Sequence, residues 1–151
     1  MTTSAMSHLP LHGGVPPSRI LVIDDDPALL EGLAEMVRFR LQPVQVDLCQ
    51  RPAFAARMTQ RGHYDVILCD VAMPTMNGLE LLPSLRRAAP AASILMMSAV
   101  GDRSVRNRAL ASGATGFVAK PFDRETLTMT LKQALQHHRL PQSYASTPTA
   151  V

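Results

Sequence analysis

Residues 20–27 have the sequence ILVIDDDP and carry the strongest structural signal in the chain. Four consecutive apolar residues are typical of a buried strand that is covered on both faces. Asp26 is suited to cap a following helix, and Pro27 suits the first position of that helix. Apolar residues then recur at helical spacing between positions 29 and 37. The stretch therefore predicts a strand that is followed directly by a helix.

The same alternation of short apolar runs and helical patterns continues to about residue 138. It predicts an α/β fold in which a parallel sheet of five strands carries five helices on its two faces. We expect Gly62 to end the second helix and Pro83 to kink the third. The later strands are expected at 44–48, 66–69, 94–97 and 116–119, and the later helices at 52–61, 78–88, 102–112 and from 123 onward.

Length and composition limit the class of protein. The chain has 151 residues, and its formal net charge is 15 − 12 = +3, from Lys+Arg against Asp+Glu. This length fits one domain, and this charge is too small to indicate nucleic-acid binding. Cys49 and Cys69 are too few for a disulfide scaffold or a zinc site. No apolar run is long enough to cross a membrane and no secretory signal is visible, so we expect a cytoplasmic protein without membrane insertion.

Two segments lie outside the alternating pattern and have little hydrophobic content. Residues 1–18 contain three prolines and two glycines, and residues 139–151 contain Ser, Thr and Pro without periodicity. Such composition is typical of flexible segments. We therefore expect a flexible N-terminal tail over 1–18, a folded domain over 19–138 and a flexible C-terminal tail over 139–151.

Polar residues stand where the predicted strands end. Residues 24–26 are all aspartate, Asp70 follows the third strand, Ser98 follows the fourth, and Lys120 follows the fifth. The carboxyl ends of parallel strands form one edge of the sheet, where the sites of open α/β proteins lie. Neighbouring carboxylates repel unless a cation compensates them, and oxygen ligands suit Mg²⁺. Such a set of residues suits phosphoryl transfer to a carboxylate, which depends mainly on positioning and charge neutralisation.

Four short motifs resemble those of two-component response regulator receiver domains. They are ILVIDDDP at 20–27, DVAMPTMNG at 70–78, SA at 98–99 and KPF at 120–122. They occur in the order found in that family and extend over about residues 19–138. The sequence resembles stand-alone receivers of the chemotaxis-regulator kind. The resemblance implies a flavodoxin-like, doubly wound sheet of five parallel strands in the order 2-1-3-4-5, with five helices.

The resemblance also implies a chemical role for each matching residue. Asp70 would accept a phosphoryl group from a phosphohistidine on a partner. Asp24 and Asp25 would hold Mg²⁺ together with Asp70 and the backbone carbonyl of Ala72. Lys120 would bind one oxygen of the phosphoryl group.

Three further residues match the switching part of the family. Ser98 would bind a second phosphoryl oxygen, and Phe117 corresponds to an aromatic residue whose ring follows the movement of that hydroxyl. Pro121 would follow a cis peptide bond, which is far less costly before proline than before other residues. Phosphorylation would then change the surface formed by the fourth helix, fifth strand and fifth helix.

The acceptor loop has three more positions of interest. Gly78 matches the glycine that closes the loop in the family. Ala72 and Val100 occupy the positions that tune the lifetime of the phosphoryl group. Neither side chain can orient an attacking water, so we predict a long-lived phosphoryl group.

Simpler interpretations stand beside these roles. The aspartates at 24–26 could form a solvated turn, and for Asp26 capping is preferred to metal binding. Phe117 could be an ordinary core residue, and Cys69 is expected to be buried rather than redox-active. The arginines of the fourth helix could be a solvated face or part of a partner surface.

The main functional hypothesis is a phospho-acceptor module that is not an enzyme and acts through protein contacts. Its expected partners are a histidine kinase or phosphotransfer protein and a downstream protein target, with no direct nucleic-acid binding and a possible homodimer. One alternative is a receiver fragment of a larger regulator that has an output domain. A second is a small phosphatase of the haloacid-dehalogenase type, which would use residues 24–26 as its D-x-D pattern but would leave residues 70–78 unexplained.

Overall fold

The computed structural model describes residues 14–99 and 102–139. The predicted alternation of strands and helices is present over this part of the chain, with one short 3₁₀ turn at Pro52–Phe54. The strands are β1 (Ser18–Ile23), β2 (Val44–Cys49), β3 (Val66–Asp70), β4 (Ser93–Ala99) and β5 (Gly116–Lys120). The helices are α1 (Pro27–Arg40), α2 (Ala55–Gly62), α3 (Gly78–Ala88), α4 (Arg103–Ala111) and α5 (Arg124–Arg139).

The five strands form one parallel sheet in the order β2-β1-β3-β4-β5. This confirms the predicted fold class and strand order. The register pairs Ile23 of β1 with Cys49 of β2 and with Cys69 of β3. The chain therefore leaves β1 and β3 at the same height of the sheet, which brings Asp24 and Asp70 to one edge.

The sheet separates two apolar cores, because alternate strand residues point to opposite faces. Leu21 and Ile23 belong to the core that includes residues of α2, α3 and α4. Ile20 and Val22 belong to the core that includes residues of α1 and α5. These β1 side chains are completely buried, as expected for a central strand that is covered on both faces.

Several boundaries differ from the sequence predictions. The predicted helix at 52–61 consists of the 3₁₀ turn and α2. The residue that follows α2 is His63, whose backbone is in the left-handed conformation with φ 51°. Gly62 is instead the last residue of α2, where an added Cβ would lie 2.2 Å from the Tyr64 ring. Gly62 is therefore required for space rather than for a left-handed turn.

All five strands are longer than the apolar runs indicated, so Asp70 and Lys120 are the last residues of β3 and β5, and the extension is greatest for β1 and β4. β1 begins at Ser18, which is buried and was predicted to belong to the N-terminal tail. β4 reaches Ala99, so Ser98 lies within the strand rather than after it. Strand pairing extended both elements beyond their apolar runs, because backbone hydrogen bonds do not require an apolar side chain.

Two further features concern the helices. Pro83 is exposed on α3, which continues to Ala88. None of the helices within residues 14–99 and 102–139 has the length and apolar character needed to cross a membrane.

Candidate functional site

Three strands deliver the predicted site residues to one edge of the sheet. Asp24 directly follows β1, Asp70 is the last residue of β3, and Lys120 is the last residue of β5. β1 and β3 are neighbours in the sheet, whereas β4 separates β3 from β5. The lysine side chain therefore has to reach across β4 to meet the carboxylates.

The carboxylates of Asp24, Asp25 and Asp70 form a compact cluster. One oxygen atom from each lies within 4.8 Å of the others. Asp24 is 1% exposed, Asp70 is 4% exposed, and Asp25 is half-buried. One oxygen of Asp24 also accepts a hydrogen bond of 3.0 Å from the backbone N–H of Asp26. A donor set made only of carboxylate oxygens fits a hard divalent cation.

Lys120 provides the positive charge of the cluster. Its Nζ lies 3.2 Å from Oδ2 of Asp24 and 3.3 Å from Oδ1 of Asp70. The peptide bond between Lys120 and Pro121 is cis. One ammonium group beside three carboxylates leaves the cluster negatively charged, so a further cation would be attracted to it.

Burial raises the pKa of the Asp70 carboxyl, and the negative charge of Asp24 raises it further. The positive charge and hydrogen bond of Lys120 act in the opposite direction, as does a hydrogen bond from the backbone N–H of Ala72. Ionised Asp70 is therefore held at a cost in free energy. A bound cation would relieve that cost.

Backbone contacts fix the loop that follows Asp70. The N–H of Val71 donates to the carbonyl of Met97 over 2.8 Å, and the N–H of Gly78 donates to the carbonyl of Val71 over 2.8 Å. A Cβ atom at position 78 would lie 2.1 Å from the carbonyl oxygen of Asp70. The loop therefore closes so tightly on the end of β3 that residue 78 has room only for glycine.

Asn77 holds the same loop against the start of α3. Its side chain accepts a hydrogen bond of 2.8 Å from the N–H of Leu79 and caps the helix. Our sequence analysis gave no role to Asn77, although an asparagine directly before a helical pattern is a capping signal. Ala72 is exposed in this loop, and Val100 lies outside the described residues.

Ser98 and Phe117 lie on neighbouring strands. Ser98 pairs with Ala119, one position before the pair formed by Ala99 and Lys120. Ser98 is buried, whereas Phe117 is half-buried and packs against the core on the α2–α4 side of the sheet. The hydroxyl therefore lies near the level of Lys120, and the aromatic ring lies beside the helices on that side.

Two of the simpler interpretations are confirmed. Asp26 caps α1, because its Oδ1 accepts hydrogen bonds from Ala28 at 3.0 Å and Leu29 at 3.4 Å. Cys69 is fully buried and free, and burial strongly raises the pKa of its thiol. A protonated thiol in the centre of the sheet is a packing residue rather than a reactive one.

Comparison with known proteins identifies the family of this chain. Residues 20–132 match the family described as the response regulator receiver domain. The chain belongs to this family. The matched region includes most of β1, all of β2 to β5 and the first half of α5, and the aspartates, serine and lysine of the strand ends lie within it.

Two of its curated relatives are regulators of transcription. The chain is 33% identical over 129 residues to the transcriptional activator protein PfeR of Pseudomonas aeruginosa, and the aligned region covers 85% of this chain and 41% of PfeR. It is also 33% identical over 135 residues to the transcriptional regulatory protein ZraR of Klebsiella oxytoca. That aligned region covers 87% of this chain and 29% of ZraR. The chain thus spans less than half the length of these two relatives. Their names give no support to our expectation that direct nucleic-acid binding is absent.

Solved structures agree with this assignment. The chemotaxis protein CheY4 of Vibrio cholerae superposes with a TM-score of 0.72 at 28% identity, over 79% of this chain and 99% of CheY4. A CheY-like receiver domain protein of Methanospirillum hungatei superposes with a TM-score of 0.75 at 23% identity, over 81% of this chain and 96% of that one. The second likeness supports the fold alone.

Proposed function

We propose that this receiver domain accepts a phosphoryl group on Asp70 from a phosphohistidine of a histidine kinase or phosphotransfer protein. The transfer breaks the P–N bond of the donor imidazole and forms a P–O bond to a carboxylate oxygen of Asp70, and the imidazole leaves. The observation that carries the proposal is the cluster of three carboxylates within 4.8 Å, with Lys120 within 3.3 Å of two of them. In this role the chain is a signalling phospho-acceptor rather than an enzyme.

The same cluster fits Mg²⁺. Asp24, Asp25 and Asp70 would hold the ion together with the backbone carbonyl of Ala72, and water would complete its shell. The bound ion would neutralise charge on the transferring phosphoryl group. The fit rests on the oxygen-only donor set and on the excess negative charge that Lys120 leaves uncompensated.

The residues of the chain position the acceptor. Lys120 already contacts Asp70, and a phosphoryl oxygen on that carboxylate would lie within reach of the same ammonium group. The lysine would then exchange part of its contact with Asp24 for a contact with the phosphoryl group. Ser98, buried one pair below Lys120 in the register, would bind a second phosphoryl oxygen.

Phosphorylation would change the surface of α4, β5 and α5. It adds about −1.5 to −2 charges and three acceptor oxygens at the strand edge. Movement of Ser98 would open space for the half-buried ring of Phe117 on β5. If this surface has two conformations, phosphorylation must favour one of them by about 5.5 kcal/mol to change their ratio from 1:99 to 99:1. A downstream protein would recognise the altered face, and the receiver domain could also pair with a second copy there.

We also propose a long-lived phosphoryl group and a cytoplasmic location. Ala72 is exposed beside Asp70, and its methyl group cannot orient an attacking water. The location follows from the proposed kinase or phosphotransfer partner. Because the curated relatives are longer regulators of transcription, this receiver domain could also serve as the input part of such a regulator.

Intact mass after incubation with acetyl phosphate and Mg²⁺ tests the proposal directly. We expect wild type to gain the mass of one phosphoryl group and Asp70→Asn to gain none. Asp26→Asn is the matched control, because it removes a carboxylate beside the cluster while asparagine still caps α1. It should gain one phosphoryl group like wild type, and chelation of Mg²⁺ should suppress the gain in both.

Two results would contradict the proposed acceptor function, and a third would contradict the proposed lifetime. Labelling of Asp70→Asn would place the acceptor elsewhere. Multiple turnover of a phosphate ester without accumulation of labelled protein would favour a phosphatase. Rapid loss of the label in the absence of a phosphatase would contradict only the proposed lifetime.

A further inference from the structure

A groove lies between the edge strand β2 and helix α2, away from the carboxylate cluster. Its volume is about 670 Å³, which is within the usual range of about 300–1,000 Å³ for small-molecule sites. None of the three clustered aspartates lines it. Apolar side chains form part of its wall, namely those of Leu48, Phe54, Met58 and Tyr64.

The groove carries a concentrated positive charge. Arg51, Arg57 and Arg61 line it and are exposed, and α2 contains no acidic residue. Over residues 14–99 and 102–139, none of these three arginines takes part in an ion pair. Arg57 and Arg61 are four residues apart, so their side chains stand on the same face of α2. Their guanidinium groups can therefore approach one multiply charged anion together.

A fourth arginine, Arg19, also lines the groove, but its guanidinium group is held by contacts within the protein. The Arg19 guanidinium lies 5.1 Å from the centre of the Tyr64 ring and pairs with Asp47 at 2.8 Å. The Tyr64 hydroxyl donates to the same carboxylate over 2.6 Å. Asp47 is thereby neutralised, and the tyrosine ring is fixed in place without any ligand. Because Asp47 is bonded to Arg19 and Tyr64, it does not neutralise the exposed guanidinium groups of the groove.

Phe54 gives the groove an exposed aromatic ring. It is 49% exposed, although an aromatic side chain gains free energy from burial. An aromatic ring placed in a groove next to arginines suits a flat heterocycle that carries phosphate groups. Arginine binds phosphate oxygens in a bidentate manner, which is more selective than attraction by charge alone.

We propose that the β2–α2 groove is a binding site for a nucleoside phosphate. The base would stack on Phe54, and the phosphate chain would lie between Arg57 and Arg61 with Arg51 at its end. The volume fits one small ligand, and the three unpaired guanidinium groups match a polyphosphate chain more closely than they match the separated carboxylates of an acidic protein. The proposal is independent of phosphorylation at Asp70.

Calorimetric titration of the complete chain with ATP and GTP at low ionic strength tests this site. EDTA is included so that Mg²⁺ cannot bridge the nucleotide to the carboxylate cluster. We expect Arg57→Ala/Arg61→Ala to weaken Kd at least tenfold. The matched control is Arg103→Ala/Arg106→Ala, which removes the same charge from two exposed arginines on α4 and should leave Kd unchanged within twofold. Phe54→Ala should weaken ATP binding but not tripolyphosphate binding.

The following outcomes would overturn the proposal. Equal weakening by the α2 and α4 pairs would mean that net charge alone attracts the nucleotide. Tripolyphosphate binding as tight as ATP in wild type would remove the role of the aromatic ring. Failure of ATP and GTP to bind would refute the nucleotide site, and tight binding of an acidic peptide in their place would assign the groove to a protein partner. Circular dichroism of each variant checks that the fold is retained, which is expected because all four arginines are exposed.

Discussion

Substitution of Gly78 by alanine should damage both the stability and the phospho-acceptor site of this receiver domain. The added Cβ would lie 2.1 Å from the carbonyl oxygen of Asp70, 2.9 Å from its carbonyl carbon and 3.0 Å from the Cα of Val71. Ordinary contact begins near 3.4 Å, so the two segments must separate by about 1.3 Å at the closest point. All three opposing atoms belong to the backbone and cannot rotate away.

The size of the effect follows from two costs and one gain. Overpacking costs about 1–3 kcal/mol, and loss of the hydrogen bond from Gly78 to Val71 costs about 1 kcal/mol. The higher helix propensity of alanine offsets at most about 1 kcal/mol at the start of α3. We therefore expect a loss of about 1–4 kcal/mol, which lowers Tm by about 2–16 °C in a domain of this size.

The matched control is Gly32→Ala in the middle of α1. An added Cβ there meets no atom within 4 Å, so only the helix propensity changes. We expect a gain of about 0.5–1 kcal/mol. Urea denaturation followed by far-UV circular dichroism measures both variants, and labelling by acetyl phosphate should be slower only for Gly78→Ala. A Gly78→Ala protein as stable as Gly32→Ala would refute the close approach of α3 to the end of β3.

Three further predictions concern the rest of the domain. Arg86→Lys should cost about 2 kcal/mol in urea denaturation, because the Arg86 guanidinium donates to the carbonyls of Gly113 at 2.6 Å and Ala92 at 2.6 Å and one ammonium group cannot span both. Hydrogen bonds from Thr126 lower the pKa of Asp123, so the stability advantage of wild type over Asp123→Ala should be full at neutral pH and should disappear as pH falls through the range where Asp123 becomes protonated. Mg²⁺ should raise the Tm of wild type but not that of Asp25→Asn, as differential scanning fluorimetry would show.

The sequence contained the local and periodic information. The apolar run at 20–23 predicted a fully buried strand, and Asp26 with Pro27 predicted the start of α1. These predictions succeeded because burial patterns and helix caps depend on residues only a few positions apart. The order of motifs along the chain also identified the fold, since strand ends in a parallel sheet share one edge.

Element boundaries were less accurate where side chains from other elements took part. Ser18 was assigned to the tail, yet strand pairing and burial make it part of β1. Gly62 was expected to end the second helix and is the last residue of α2, but its small size is needed beneath Tyr64, and the left-handed conformation belongs to His63. Glycine has more than one structural use, and its neighbours in sequence do not show which one applies.

The charge cluster illustrates the division between sequence and structure. Motif order predicted that Asp24, Asp70 and Lys120 would meet, although 96 positions separate the first from the last. The sequence predicted repulsion among these carboxylates, whereas the contribution of burial to the raised pKa of Asp70 and the distances from Lys120 to Asp24 and Asp70 came from the folded chain. The free energy of a charge depends on everything around it in space, and a linear pattern does not contain that distance information.

The contacts between different elements could be identified only from the way those elements pack. They include the approach of Gly78 to the backbone of Asp70, the Arg86 hydrogen bonds and the groove between β2 and α2. Apolar periodicity and capping act within a few residues, so they specify the elements, their order and the edge that carries the acceptor. The spaces between packed elements depend on side-chain volumes from several segments at once, and for that reason they first became visible in the tertiary structure.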